Sequence, residues 1–226
     1  MSTADDDKKL AAEAGAALVK DGMVVGLGTG STAAHFVRAL GPRVKQGLSI
    51  RGVPTSAATA ALARTLGIPL VGFDQVTEID LTIDGADEFD PRLALVKGGG
   101  GALLYEKVVA AASRRMVAVC DGKKRVDSLG RFPLPVEVVP FGHEQVSRRL
   151  QALGAKVKLR HSEGDIFKTD GGHYILDAAF GVIADPGALA EKIDQIVGVV
   201  EHGLFVGLCT EVIMADRGVI ETFARG

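Results

Sequence analysis

The sequence predicts an α/β chain of two domains, and two observations carry that prediction. Up to Cys120, short and continuously apolar runs alternate with helical segments; beyond Pro133-Leu134-Pro135 the order becomes β-α-β-β-α-β. Apolar runs of this kind are strands buried on both faces, and their alternation with helices builds βαβ units and a parallel sheet. The later order is the split βαβ, ferredoxin-like arrangement. The expected architecture is therefore a Rossmann-like, mostly parallel sheet domain over 1–131 and 207–226, and a smaller ferredoxin-like α+β domain over 132–206. A chain of 226 residues is long enough for both.

Residues 5–20 predict an amphipathic helix, with Leu10, Ala14, Ala17 and Leu18 on one face. Met23 to Leu27 predicts a buried strand, Gly28 to Thr32 a turn, and Ala33 to Leu40 a helix. Strands follow at Leu48–Val53, Ile68–Phe73, Ile79–Ile83, Leu93–Val96 and Met116–Cys120, with helices at Ser56–Leu66 and 102–112. In the second domain, strands are expected at Val136–Val139, Ala155–Leu159, Tyr174–Asp177 and Val199–Phe205, and helices at His143–Leu153 and Pro186–Val197. The polar stretch Arg160 to Gly172 holds a turn and a short strand segment. Residues 207–226 are too few to fold alone and are expected to return to the first sheet.

Composition narrows the function. Hydrophobic residues make up 47% and charged residues 24%, a globular balance that needs no staples. The net charge of −2 removes the electrostatic argument for nucleic acid. No apolar run reaches the ~20 residues of a membrane span, and the polar, acidic start carries no signal-peptide core. The two cysteines, Cys120 and Cys209, show no ligand spacing, and the five histidines are scattered. Neither a disulfide nor a metal site is expected, and a reducing cytoplasm is the expected setting.

In a parallel α/β sheet, ligands sit outside the carboxyl ends of the strands. Three polar loops are expected there, on one rim of one sheet. Thr29-Gly30-Ser31-Thr32 offers amides and hydroxyls at a helix N-terminus, which suits a phosphate; a tight turn with a hydroxyl N-cap also fits. Lys8 in the first helix is within reach of such a phosphate, or is simply solvated. Asp84-Gly85-Ala86-Asp87 brings two carboxylates close enough to divide acid and base roles; an ordinary acidic turn fits too. Lys97-Gly98-Gly99-Gly100-Gly101 places a cation before a run of the residue that loses most backbone entropy on folding, which is tolerated where a ligand approaches the backbone or where a hinge is needed. Glu106, about one turn into the next helix, has its Cβ directed back toward that loop, and the helix dipole favours its carboxylate. A surface glutamate paired with Lys107 is the other reading. Cys120-Asp121-Gly122-Lys123-Lys124 ends a further strand with lysines that either close the site or are solvated.

In order along the chain, Gly26–Ala33, Val53–Ser56, Asp80–Glu88, Lys97–Leu103, Glu106-Lys107, Leu134–Val138 and Gly198–Phe205 resemble the A-type ribose-5-phosphate isomerase family. The resemblance implies interconversion of ribose 5-phosphate and ribulose 5-phosphate without redox cofactor or metal, in a homodimer or homotetramer. It implies Glu106 as the base, Asp84 and Asp87 as handlers of hydroxyl protons and ring opening, and Lys97 as stabiliser of the oxyanion. Thr29, Gly30, Ser31 and Thr32 resemble the phosphate loop, with Lys8 near it, and Lys124 rather than Lys123 matches the substrate-binding lysine. Gly85, Ala86, Gly98, Gly99 and Gly100 match backbone that faces the substrate. The chain departs from the pattern at Tyr105 (commonly arginine), Lys123 (commonly serine) and His173 (commonly asparagine). A sugar-phosphate-sensing regulator and a CoA-transferase-like enzyme are the rival readings. The first would call for a DNA-binding segment, the second for covalent use of Glu106.

Overall fold

In the computed structural model, which describes residues 3–225, the chain opens on a capped helix. The Thr3 hydroxyl accepts from the Asp6 amide while the Asp6 carboxylate accepts from the Thr3 amide, a reciprocal box that satisfies two end donors. The elements run α1 (Ala4–Ala17), β1 (Val24–Leu27), α2 (Ser31–Lys45), β2 (Arg51–Pro54), α3 (Ala57–Thr65), β3 (Leu81–Asp84), β4 (Glu88–Phe89), β5 (Leu95–Val96), α4 (Leu103–Ala111) and β6 (Met116–Asp121). There follow β7 (Leu134–Val138), α5 (His143–Ala152), β8 (Lys156–Leu159), β9 (His161–Ser162), β10 (Asp165–Ile166), β11 (Tyr174–Ala179), α6 (Pro186–Asp194), β12 (Val199–His202), β13 (Leu204–Phe205), β14 (Glu211–Asp216) and β15 (Val219–Ala224). The fold is mixed α/β, as expected.

The chain forms two compact units. The first comprises residues 1–86, 105–124 and 207–226. Its six-stranded sheet has the order β15-β14-β6-β3-β1-β2, parallel throughout except for the edge strand β15. Both faces are covered: Val25 and Leu27 join the cluster of α1 and α2, while Val24 joins Val53, Val76, Ile79 and Val109 of α4 on the other face. That double cover is why β1 reads as an unbroken apolar run. The 207–226 segment supplies β14 beside β6, as its length suggested.

Two local expectations fail here. The helix expected to stop at Leu40 runs on through Pro42 to Lys45. The Arg43 guanidinium donates to the carbonyls of Ala16 and Val19 at the end of α1, and Val44 packs on the core, so tertiary contacts outweigh the proline. The strand expected at Ile68–Phe73 is only a bridge, Gly52 to Leu70, because Pro69 offers no amide to a ladder.

Asp7 ties the last hairpin to α1. It is buried, and its two carboxylate oxygens accept from the amides of Arg217 (3.0 Å) and Gly218 (2.9 Å) in the β14–β15 turn. Charge-assisted bonds of this type contribute ~1.5–3 kcal/mol each. Asp7→Ala is expected to lower stability by about 2–3 kcal/mol, and Asp7→Asn by less, because asparagine keeps one acceptor. Thermal unfolding of both variants checks this.

The second unit comprises residues 87–104 and 125–206. Its four-stranded antiparallel sheet has the order β12-β7-β11-β8, with Leu134, Val136, Val138, Leu176 and Ala178 in one core with Val146 and Leu150 of α5 and Ile193 of α6. This is the ferredoxin-like arrangement. The expected boundary at 131/132 does not coincide with these units, since 87–104 and 125–131 cluster with the later residues. The cause is a small antiparallel sheet, β13-β5-β4. The Asp90 carboxylate accepts from the amides of Arg92 and Ala94, Leu93 takes a left-handed conformation (φ 59°), and the chain reverses. The buried Glu88 carboxylate then accepts from the amides of Gly130 (2.8 Å) and Phe132 (2.6 Å).

Candidate active site

Within the first unit, the polar residues gather at the carboxyl ends of β1, β3 and β6. The Gly28 amide donates to the Ile83 carbonyl at 3.0 Å, so the chain beyond β1 stays joined to β3. Asp84, the last residue of β3, is fully buried. Its Oδ1 accepts from the amides of Thr29 (3.0 Å) and Gly85 (2.7 Å). Gly28 lies flat against it: a Cβ there would stand 2.2 Å from Asp84 Oδ1 and 2.6 Å from Asp84 Cα. The Thr29 hydroxyl turns inward, 2.7 Å from that of Thr55, 2.8 Å from Ser56 and 3.2 Å from Thr59. Thr55 and Thr59 donate in turn to the carbonyls of Leu27 and Gly28. Thr29 thus shapes the loop with its side chain, a role its place in the motif did not foretell. Ser56 had been expected only as a helix start, and it does cap α3.

Beyond Thr29 the loop opens toward solvent. Gly30 is the N-cap of α2 and supplies no side-chain cap, so amides of the first turn remain for an anion. Ser31 is exposed, and Lys8 Nζ donates to its Oγ at 3.2 Å. Lys8 and the expected phosphate loop are therefore brought together. At the end of β6 the buried Asp121 accepts from the Lys123 amide at 3.0 Å, shaping a 3-10 turn, Gly122–Lys124. Lys124 is half-buried and Lys123 exposed.

Glu106 lies in the first turn of α4 and is 4% exposed. Val109 and Ala110, three and four residues on, are also buried, so Glu106 shares the inward face of the helix. It is not the solvated glutamate of the alternative reading. Tyr105 beside it is exposed.

Within the second unit, Lys97 is 2% exposed, its amide donates to the Gly203 carbonyl at 2.8 Å, and its ammonium stands 5.4 Å from the centre of the Phe205 ring. Asp87 donates its amide to Val96, and its Oδ2 accepts from the Gly99 amide at 2.7 Å. Gly99 and Gly100 are exposed. One expectation is corrected here. The glycine run follows β5, which pairs in the small antiparallel sheet, so the strand before it is not a strand of the parallel sheet. The Asp90 turn, by reversing the chain, removes β5 from that sheet.

Elsewhere in this unit, Asp194, Glu201 and His202 bring carboxylate oxygens and Nε2 within 4.8 Å of one another. His202 Nδ1 accepts from the Leu204 amide, so the neutral ring carries its proton on Nε2, 3.2 Å from Asp194. That is the geometry of a hydrogen bond, not of a metal ligand. His173 Nδ1 stands 2.9 Å from Glu137 Oε1, which also accepts from Thr169. In the first unit, burial pushes the Cys120 thiol up, which leaves it protonated and inert.

Residues 51–218 match the family described as ribose 5-phosphate isomerase A (phosphoriboisomerase A). Ribose-5-phosphate isomerase A of Caulobacter vibrioides is 55% identical over 225 residues, covering 96% of this chain and 98% of its own. That of Sphingopyxis alaskensis is 51% identical over 226 residues, covering 100% and 99%. Among solved structures, a D-ribose-5-phosphate isomerase in complex with phospho-erythronic acid is similar at a TM-score of 0.96 and 38% identity, covering 99% of this chain and 100% of that one. Ribose 5-phosphate isomerase A of Methanocaldococcus jannaschii is similar at 0.94 and 39%, with the same coverage.

Proposed function

Because the chain belongs to the ribose 5-phosphate isomerase A family, we propose that it interconverts D-ribose 5-phosphate and D-ribulose 5-phosphate, with Glu106 as the base on carbon. In the open-chain aldose, Glu106 takes the proton from C2. The electron pair forms the C1–C2 double bond, and O1 becomes an oxyanion. Lys97 stabilises this enediolate. Glu106 returns the proton to C1 while O2 loses its hydroxyl proton and becomes the ketone oxygen, and O1 gains a proton. Asp84 and Asp87 handle these hydroxyl protons and the opening of the ring. C1 is reduced and C2 oxidised within one molecule, so the electrons balance without an external carrier.

The phosphate lies at Gly30-Ser31-Thr32 and Lys8, with Lys124 closing on the substrate and Gly85, Ala86, Gly98, Gly99 and Gly100 presenting bare backbone to it. Binding energy at the phosphate holds the reacting carbons in place. The observation that carries the reading is burial: Asp84, Lys97 and Glu106 are each under a twentieth exposed. Charged residues are almost never so buried unless they are paired, and a buried acid, base and cation of the kind an isomerisation needs support this reading. The reading places the enzyme in the cytoplasm, in the non-oxidative pentose phosphate pathway. Its two buried, unbridged cysteines suit a reducing compartment. We assign it to a homodimer or homotetramer formed through the ferredoxin-like part; there, Phe141, Val182 and Val197 expose 94%, 76% and 96% of their surface.

The purified protein is expected to convert ribose 5-phosphate to ribulose 5-phosphate with a chelator present and no nucleotide added. Folded protein that shows no turnover under those conditions would sink the isomerase reading. Turnover of CoA esters with labelling of Glu106 would favour the CoA-transferase-like rival.

A further inference from the structure

We infer that Arg160 is a positioning residue for this isomerisation, acting through the main chain of the glycine run. Arg160 opens the polar stretch that the sequence marked as a turn with a short strand segment. Its side chain is 13% exposed. Nη1 donates to the Gly98 carbonyl at 2.8 Å and to the Gly99 carbonyl at 3.2 Å. Its other nitrogens donate to both oxygens of Asp177, with Nε at 3.0 Å from Oδ2. The guanidinium also stands 5.8 Å from the centre of the Phe167 ring. That ring closes over the end of the run: a Cβ on Gly101 would stand 2.4 Å from Phe167 Cζ.

The consequence follows from peptide geometry. In a trans peptide the C=O and the following N–H point in opposite directions. An arginine that holds the carbonyls of Gly98 and Gly99 therefore turns the amides of Gly99 and Gly100 away from itself. The first of these amides meets Asp87 Oδ2 at 2.7 Å. Arg160 thus fixes both the direction of Asp87 and the face that the Gly100 amide presents. A planar fork that spans a carboxylate on one side and two carbonyls on the other needs arginine; lysine has one donor point and cannot bridge them. Asp177 holds the fork in plane. The inference rests on the reading that Asp87 and the glycine run face the sugar.

The test measures steady-state kinetics with ribose 5-phosphate on the full chain, wild type beside Arg160→Met, Arg160→Lys, Arg160→Ala and Asp177→Asn, with thermal unfolding of each. For Arg160→Met, kcat is expected to fall about 10–100-fold, the scale of a misplaced catalytic group, while KM moves less than about threefold because the phosphate loop is untouched. Arg160→Lys is expected to stay low. Free guanidinium ion is expected to restore about tenfold of the lost kcat to Arg160→Ala, which a general structural defect would not allow. A folded Arg160→Met with kcat within about twofold of wild type would overturn the inference, as would absence of rescue. If the Arg160 variants do not fold, Asp177→Asn decides: a several-fold fall in kcat at unchanged KM supports the role, and a wild-type kcat overturns it. A wild-type protein that leaves ribose 5-phosphate unchanged would instead overturn the isomerase reading itself.

Discussion

Glu106→Gln is expected to lower kcat by ~10²–10⁴-fold while sugar phosphate still binds, because a general base of this kind contributes on that scale. Glutamine matches the volume of glutamate, so it leaves no cavity at a position that is only 4% exposed. It also keeps helix propensity close to that of glutamate in the first turn of α4. What it lacks is an anionic oxygen that can hold a proton between C1 and C2. Three measurements separate this from a folding defect: steady-state rates, thermal unfolding, and calorimetric binding of a sugar phosphate. Exchange of the C2 hydrogen with deuterated solvent should disappear with the activity. A near-normal rate would place the base elsewhere.

Gly28→Ala is expected to be a strongly damaging conservative change in the first unit. The new methyl would meet Asp84 Oδ1 at 2.2 Å, Cγ at 2.4 Å and the Asp84 main chain at 2.6 Å. A flexible side-chain tip can yield, but Asp84 is part of a central strand paired with neighbours on both sides. The loop must therefore move off β3, breaking the bond from the Thr29 amide to Asp84. Overpacking of this kind costs about 3 kcal/mol, and at ~2–4 °C per kcal/mol the melting temperature should fall by roughly 6–12 °C. KM for the sugar phosphate should rise as well, since the amides at the start of α2 lose their alignment. Gly85→Ala serves as the stability control, because a Cβ there has its nearest neighbour at 3.9 Å. It should melt within about 2 °C of wild type. Equal melting temperatures for the two variants would show that the close approach at Gly28 is not needed.

Most of the frame is legible in the sequence because its signals are local. β1 is a continuous apolar run, Ser56 stands where a helix needs a hydroxyl, and the β-α-β-β-α-β order survives as read. The failures are where distant partners decide. β5 is two residues long, too short to show a period, and its pairing with β13 spans more than a hundred residues of sequence. The continuation of α2 past Pro42 depends on α1. At the site, the motif residues stand out by type, since carboxylates and a lysine at strand ends are conspicuous. The groups that aim them do not. Thr55, Thr59 and Arg160 look like ordinary polar residues until the fold sets them against Thr29 and the glycine carbonyls. The burial of Glu106 was equally invisible, because its helix is short and apolar nearly all round.

The place of β14 also sets an order on how the protein can be made. β6 is complete at Asp121, but the strand that covers its far side begins only at Glu211. At ~5–20 residues per second of synthesis, the open hydrogen-bonding edge of β6 waits on the order of 5–20 s for its partner. Meanwhile the intervening residues can assemble their own antiparallel sheet without waiting for later sequence. The first unit is thus the last to close, and for that interval an apolar strand, Met116–Asp121, is available to any other unpaired edge nearby.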